Sequence, residues 1–252
     1  MDRQRHTDRV AIVTGAGSGI GRATALRFAR EGAHVIGCDV SAPALEGARA
    51  QFAADGVHIT LVTADVTRQE EIARLVHAGG PRIDILANVA GIMDHFIPLG
   101  ELDDATWAHV LDVNLTGVMR LSRAVLPIME AGGGGAVVTV ASEASLRAGC
   151  AGASYTTSKH AVIGLVKHIA YFYGPKRIRS NAVLPGAVET AIGATATPRS
   201  DWAMERALLA MATMPPAAAP DQIAALISWL ASDEASNING ALVTADGGWA
   251  SA

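Results

Sequence analysis

TGAGSGIG, residues 14–21, lies between an apolar run, RVAIVT (9–14), and a helical pattern continuing RATALRFA. Gly15, Gly19 and Gly21 stand in a Gly-x-x-x-Gly-x-Gly spacing. Glycines at a strand-to-helix turn admit backbone conformations closed to other residues and remove the Cβ atoms that would hold a bound group off the main chain. A helix starting there points its free N–H groups at the turn, which favours an anion such as a diphosphate. Three glycines alone also suit a plain turn. The strand before, the helix after and an acid farther on decide between the two.

That acid is Asp39, at the end of the second apolar run, AHVIGCDV (33–40), 18 residues past Gly21. A carboxylate there accepts hydrogen bonds from a ribose diol and repels a 2′-phosphate. No arginine or lysine sits in the glycine turn or directly after Asp39 to attract such a phosphate. The expected cofactor is therefore NAD rather than NADP, the alternative being a helix-capping or loop aspartate. Asp65 ends the third run, in TADVT, and has two readings: contact with an adenine edge, or a cap for the next helix together with Thr67.

Outward from this turn, short β-type runs alternate with longer helical patterns. The strand candidates are 9–14, 33–40, 58–66, 83–90, 136–142, 178–186 and 241–248, most of them near-continuously apolar, as strands buried on both faces are. Amphipathic stretches at 19–31, 42–54, 68–77, 104–130, 155–173 and 221–231 fall between them. The alternation predicts an α/β fold, a doubly wound, mainly parallel seven-stranded sheet with helices on both faces. GGGG (132–135) reads as a helix stop and loop, and PRID (81–84) as the entry to a strand. No linker divides the chain, so 1–252 is expected to form one domain. The rhythm breaks only from Gly186 to Pro220, a stretch rich in Ala, Thr and Pro with a helix expected near 201–212. A long insertion after a strand's C-terminal end is expected to be a substrate lid.

Composition narrows the function classes. Half of the 252 residues are hydrophobic, 17% are charged and the net charge is −4, which suits a compact globule and argues against nucleic acid as a partner. Two cysteines, Cys38 and Cys150, make no disulfide framework, and the eight histidines show no metal-ligand spacing, so no metal is expected. The polar start MDRQRHTDR lacks the apolar core of a signal peptide, and no apolar run reaches membrane-spanning length. A cytoplasmic setting without membrane contact is the expectation.

SYTTSKH (154–160) places Tyr155 and Lys159 one helical turn apart, so both rise from one helix face. With the glycine turn, this Tyr-x-x-x-Lys pair resembles the short-chain dehydrogenase/reductase family, over residues 8 to 249. Further matching signatures follow in order: NVAG (88–91), Asn114 in LDVNLTG, Ser142 in VTVASEAS, NAVLPG (181–186), Thr190 and DGG (246–248). The resemblance implies a Rossmann-type fold and reversible hydride transfer between a secondary alcohol carbon and a nicotinamide. It makes Tyr155 the general acid/base, Lys159 its electrostatic partner and a holder of the nicotinamide ribose, Ser142 the donor to the substrate oxygen, and Asn114 part of a proton relay through a locally bent helix. It also implies cofactor contacts at Gly15, Ser18, Gly19, Ile20, Gly21, Asp39, Asp65, Val66, Asn88, Gly91, Tyr155, Lys159, Pro185, Gly186, Val188 and Thr190. Similar proteins pair their long central helices, so a homotetramer or homodimer is expected, with Trp249 buried by a neighbouring subunit.

A free tyrosine, with pKa about 10, is a poor base near neutrality, so the reading expects Lys159 to lower it. One residue departs from the family pattern: Val89 stands where Asn is usual, removing an amide that commonly ties neighbouring strands. The substrate is a small molecule. Its pocket is expected to be walled by Met93, His95 and Phe96, by Glu143 to Cys150 and by the lid from Ile192 to Met214, with Met204, Leu208, Leu209 and Met211 either lining it or packing the lid onto the core. That lining suggests a hydrophobic alcohol or ketone. Arg147 reads by default as a surface arginine.

Overall fold

Successive residues of β1 (Val10–Thr14) feed two separate cores, because side chains alternate across a strand. Ala11 and Val13 pack with α1 (Gly19–Arg30), α2 (Ala42–Ala54) and α8 (Pro220–Ala231), contributing to a layer that contains Phe28, Phe52 and Leu230. Ile12 faces the opposite layer, with Leu75 of α3 (Gln69–Ala78), Leu121, Val125 and Met129 of α5 (Val118–Ala131), and Ile169 of α6 (Ala153–Tyr173). Two apolar layers require a strand apolar at every position, and this explains the unbroken runs in the sequence.

The computed structural model describes residues 4–192 and 198–251. Among these, seven strands form one sheet in the order β3-β2-β1-β4-β5-β6-β7. The others are β2 (His34–Asp39), β3 (Thr60–Thr63), β4 (Ile85–Asn88), β5 (Gly135–Val140), β6 (Ile178–Pro185) and β7 (Leu242–Ala245). Every pairing is parallel, so the expected "mainly parallel" sheet is wholly so. The last glycine of GGGG is strand rather than loop: Gly135 opens β5, where a Cβ would meet Met129 Sδ at 2.8 Å. The remaining helices are α4 (Asp104–Leu111) and α7 (Asp201–Met211), the latter inside the expected lid. Residues 193–197 of that lid lie outside the described residues.

The order turns back at β1, which pairs with β2 on one side and β4 on the other. The crevice at such a reversal, at the C-terminal ends of the strands, is where open α/β sheets bind ligands. The glycine turn leaves β1 there, and Asp39 and Asn88 end β2 and β4. No described helix is long and apolar enough to cross a membrane.

The opposite edge holds a buried polar lock. Glu31, just past α1, accepts from Arg5 Nη1 at 3.2 Å, from Arg27 Nε at 2.5 Å and from the Ser228 hydroxyl of α8. Because Ser228 spends its proton on Glu31, its oxygen accepts from His6 Nε2–H, 3.0 Å away. His6 is fully buried against Phe28, and burial lowers its pKa from 6.5 to about 4. A folded-state value below the unfolded one gives stability that is present above pH 6.5 and lost as pH falls toward 4. The loss is roughly 3 kcal/mol at 1.36 kcal/mol per unit. Urea unfolding between pH 7 and 4 is expected to show that slope, and His6→Leu is expected to flatten it.

Candidate active site

The first helix begins without a side-chain cap: Ser18, its exposed N-cap residue, makes no capping bond, and no acid stands in the first turn. Its N–H groups thus face the turn, where the glycines leave no room for side chains. Gly15 (φ +71°) lies so close to β4 that a Cβ would sit 3.2 Å from Ala90 Cα, and at Gly21 it would meet Gly15 O at 2.1 Å. At Gly19 (φ +49°) a Cβ would come 2.9 Å from Thr190 Cγ2, so the segment after β6 closes over the turn. Ile20 is half-buried against the core below. These bare amides and missing Cβ atoms fit a diphosphate, and the residues suit a dinucleotide.

Asp39 is half-buried at the rim of this cradle. Its Oδ2 accepts from Gly17 N–H at 3.1 Å and its Oδ1 from Ser41 N–H at 2.9 Å, which fixes the carboxylate beside the turn. Asp65 accepts at Oδ1 from Thr67 N–H (2.8 Å) and Thr67 Oγ1 (2.7 Å). The pair forms a turn ahead of α3, whose N-cap residue is Arg68, rather than a helix cap. Val66 packs on Gly117, where a Cβ would meet Val66 Cγ2 at 2.9 Å.

Asn88 is buried, and its Nδ2 donates to Ser122 Oγ at 3.3 Å, so its side chain holds β4 to α5. The main chain at Val89 is held from β1. Thr14 Oγ1 accepts from both Val89 N–H and Ala90 N–H at 2.9 Å, tying the end of β4 to β1. Pro185 ends β6, and Gly186 follows with its Cα side against Asp246, where a Cβ would come within 2.9 Å of Asp246 Cβ. Val188 bridges to Ala218 across the base of the 186–220 segment, and Thr190 Oγ1 donates to Val188 O at 3.4 Å.

Ser142, Tyr155, Lys159 and Asn114 converge above β4 and β5. Tyr155 is buried in the first turns of α6 with Ser142 beside it, and Ser142 Oγ accepts from Ala144 N–H at 3.1 Å. The Lys159 ammonium lies 5.5 Å from the Tyr155 ring centroid and donates to Val140 O at 3.0 Å. On its other side is Gly91, where a Cβ would be 3.5 Å from Lys159 Nζ and 3.3 Å from Asn114 Oδ1. A side chain at 91 would enter the site itself.

Asn114 sits in a π-helical turn, Asp112–Gly117, inserted between α4 and α5, the local distortion its expected role requires. Its amide is fully engaged, however. Oδ1 accepts from Ile92 N–H at 2.9 Å, while Nδ2 donates to Ile92 O at 2.9 Å and Ser158 Oγ at 3.2 Å. The side chain therefore ties the loop after β4 to α6, and a proton path at this residue has to use the main chain.

The electrostatics reverse one expectation. Burial pushes the Tyr155 phenol up to about 12; the Ser142 hydrogen bond opposes this, and the charges of Cys150 and Asp94 add to it. Burial also lowers the Lys159 ammonium to about 8. Burial of both groups thus favours the neutral phenol over the phenolate.

Residues 15–250 match the family described as enoyl-(acyl carrier protein) reductase. The chain is 38% identical over 258 residues to 3beta-hydroxysteroid dehydrogenase 2 of Eggerthella lenta, covering 99% of each protein. It is 40% identical over 255 residues to a short-chain dehydrogenase/reductase of Talaromyces verruculosus, covering 96% of this chain and 97% of that one. The chain belongs to the short-chain dehydrogenase/reductase family. Among solved structures, an NAD(P)-dependent gluconate 5-dehydrogenase assignment from Beutenbergia cavernae, with NADP bound at low occupancy, superposes with a TM-score of 0.88 and 37% identity over 99% of both chains. The protein is an oxidoreductase of this family, acting on a small molecule with a nicotinamide dinucleotide.

For a member of this family, the pocket wall holds three departures from the sequence reading. Arg147 is no surface arginine: it pairs with Glu143, itself 1% exposed, and its guanidinium lies 4.9 Å from the Trp249 ring centroid. Trp249 is buried by its own chain, donating from Nε1 to Ala210 O of the lid helix at 3.0 Å, so no neighbouring subunit is needed to cover it. Leu208 and Leu209 are exposed and do not pack α7 onto the core, since that helix turns only Ala207 fully inward. Asp94, buried beside Tyr155, escaped the sequence reading altogether because its partners lie some sixty positions away.

Proposed function

We propose that this oxidoreductase interconverts a hydrophobic secondary alcohol and its ketone, with Tyr155 as the general acid/base and NAD as the preferred cofactor. The observation that carries this reading is a buried phenol, beside Ser142 and faced by Lys159, packed among Val110, Ala144, Ile92, Met93, Cys150 and Ala151. An apolar wall around the proton-transfer atom favours a substrate that is apolar around its reacting carbon. The activity named for the Eggerthella lenta relative, on a steroid alcohol, is of that class.

A dinucleotide would be held by the glycine turn (Gly15, Ser18, Gly19, Ile20 and Gly21), by Asp39, Asp65, Val66, Asn88, Gly91, Tyr155 and Lys159, and by Pro185, Gly186, Val188 and Thr190 over the diphosphate and carboxamide. When bound, it supplies the hydride exchange and, in its oxidised form, a positive charge that favours the phenolate. In reduction Tyr155 donates its proton to the substrate oxygen while the Ser142 hydroxyl holds that oxygen; in oxidation both movements reverse. Lys159 keeps a cation beside the ring, and the main chain at the π turn around Asn114 offers a route for the proton.

The test is a panel of alicyclic and steroid secondary alcohols and their ketones, with gluconate as the polar comparison, followed at the nicotinamide absorbance with NAD(H) and NADP(H). Turnover of the apolar set with NAD(H) is expected. Turnover of gluconate alone would sink the substrate class.

Asp39 supports the cofactor choice by its position and charge. Asp39→Ser is expected to raise kcat/KM for NADP at least tenfold relative to NAD, since removal of a charge repelling a 2′-phosphate is worth about 1.4 kcal/mol or more. An unchanged ratio of the two kcat/KM values would contradict that role.

A further inference from the structure

The helix that carries Tyr155 and Lys159 begins at Gly152, an N-cap residue with no side chain to bond the helix's free N–H groups. Asp94, in the loop after β4, supplies that function from a distant part of the chain. Its carboxylate is fully buried; Oδ1 accepts from Gly152 N–H at 3.0 Å, and Oδ2 from Ser154 Oγ at 3.0 Å and from the main-chain N–H of Tyr155 at 2.8 Å.

Two further observations show how closely this contact is built. Gly152 cannot carry a side chain, because a Cβ would lie 2.5 Å from both Asp94 Oδ1 and Ile97 N. The two residues after Asp94, His95 (φ +58°) and Phe96 (φ +57°), both adopt the left-handed conformation that L side chains seldom take. This reversal lets Ile97 O accept from Ala153 N–H at 2.9 Å, so the loop holds the start of α6 from two points. Local strain of this kind persists where the surroundings enforce it, and here it delivers a buried carboxylate to the residue that bears the phenol.

We propose that Asp94 is a positioning residue for Tyr155, clamping the first turn of α6 so that the phenol stays in line with Ser142 and placing a fixed negative charge behind it. The proposal rests on Tyr155 as the acid/base. Asp94 touches neither substrate nor reacting atoms and acts through the main chain of Tyr155. Its charge also disfavours the phenolate, the direction already noted for Tyr155. Lys159 on α6, Cys150 ahead of that helix and Glu143 bonded to Cys150 are other titratable groups at this site. None of them is altered in the test.

The experiment compares full-length wild type, Asp94→Asn, Asp94→Ala and Tyr155→Phe by steady-state alcohol oxidation across pH, with thermal unfolding and dinucleotide binding measured on each. Asp94→Asn keeps the shape and one acceptor oxygen but loses the charge. The pH of half-maximal kcat is expected to fall, because a like charge no longer opposes ionisation of the phenol. Asp94→Ala is expected to lose about 10- to 100-fold in kcat through misplacement of the phenol, with dinucleotide affinity changed less than about threefold. Wild-type kcat and pH profile in both variants would overturn the proposal. So would a loss of kcat matched by loss of folded protein with the pH profile of Asp94→Asn unmoved, the result of a merely structural cap. If Asp94→Ala does not fold, Asp94→Asn decides alone. Full turnover by Tyr155→Phe would remove the acid/base reading and this proposal with it. An inactive Tyr155→Phe beside an unaltered Asp94→Asn profile would remove only the role of Asp94.

Discussion

Tyr155→Phe is expected to lose at least a thousandfold in kcat while binding the dinucleotide with near-wild-type affinity. The substitution deletes one oxygen from a ring packed by Val110, Ala144 and Met93, so the core around it keeps its volume and the fold its stability. What disappears is the hydroxyl proposed to pass a proton to or from a substrate oxygen held by Ser142. Positioned acid/base catalysis contributes about 10²–10⁴-fold, or roughly 3–5 kcal/mol of the barrier. The measurement is kcat with alcohol and ketone alongside fluorescence titration of the dinucleotide. A fall in kcat with unchanged binding marks an interaction made in the transition state, whereas equal loss of both would mean that the phenol mainly builds the cofactor site.

Lys159→Met should cost about 10²–10³-fold in kcat and, unlike the tyrosine change, also weaken dinucleotide binding. Methionine fills much of the lysine slot but carries neither charge nor donors. In the wild type Lys159 is 4% exposed, and its ammonium spends one donor on Val140 O and lies close to Gly91. Its loss removes the cation facing the ring and leaves the phenol with burial and the Asp94 charge, both of which oppose ionisation. The residual oxidation activity is therefore expected to rise at higher pH than in wild type. A pH series of kcat and KM on the variant checks both effects, and wild-type values of both would remove Lys159 from the site.

These two variants separate roles that the Tyr-x-x-x-Lys spacing cannot. Spacing put both side chains on one helix face. Packing then added burial, which lowers the ammonium to about 8 and lifts the phenol to about 12. Tyr155 is thus prepared first as a proton donor, and its service as a base depends on charge brought in with the cofactor.

Features whose physics is local were legible in the sequence. The inner strands showed as near-continuous apolar runs because they are covered on both faces, and the glycine turn showed because a tight strand-to-helix passage needs missing Cβ atoms at fixed offsets. Asp39 was readable because it ends the next strand, and the adjoining strand brings it back beside the turn. Even the distortion around Asn114 was expected, although the use of its amide was not, since Ile92 and Ser158 reach it only through folding.

Through-space contacts and desolvation belonged to the tertiary structure alone. Asp94 meets Tyr155 from 61 positions away, and Thr14 holds the main chain at Val89 from 75. Trp249 closes over Arg147 and the lid helix within one chain, and Leu208 and Leu209 turn to solvent. The sequence by itself determined the sheet, the cradle and the residue types of the site. Tertiary structure decided how dry the site is and which charges face the phenol, because solvation and Coulomb energies depend on distance in space and not on separation along the chain.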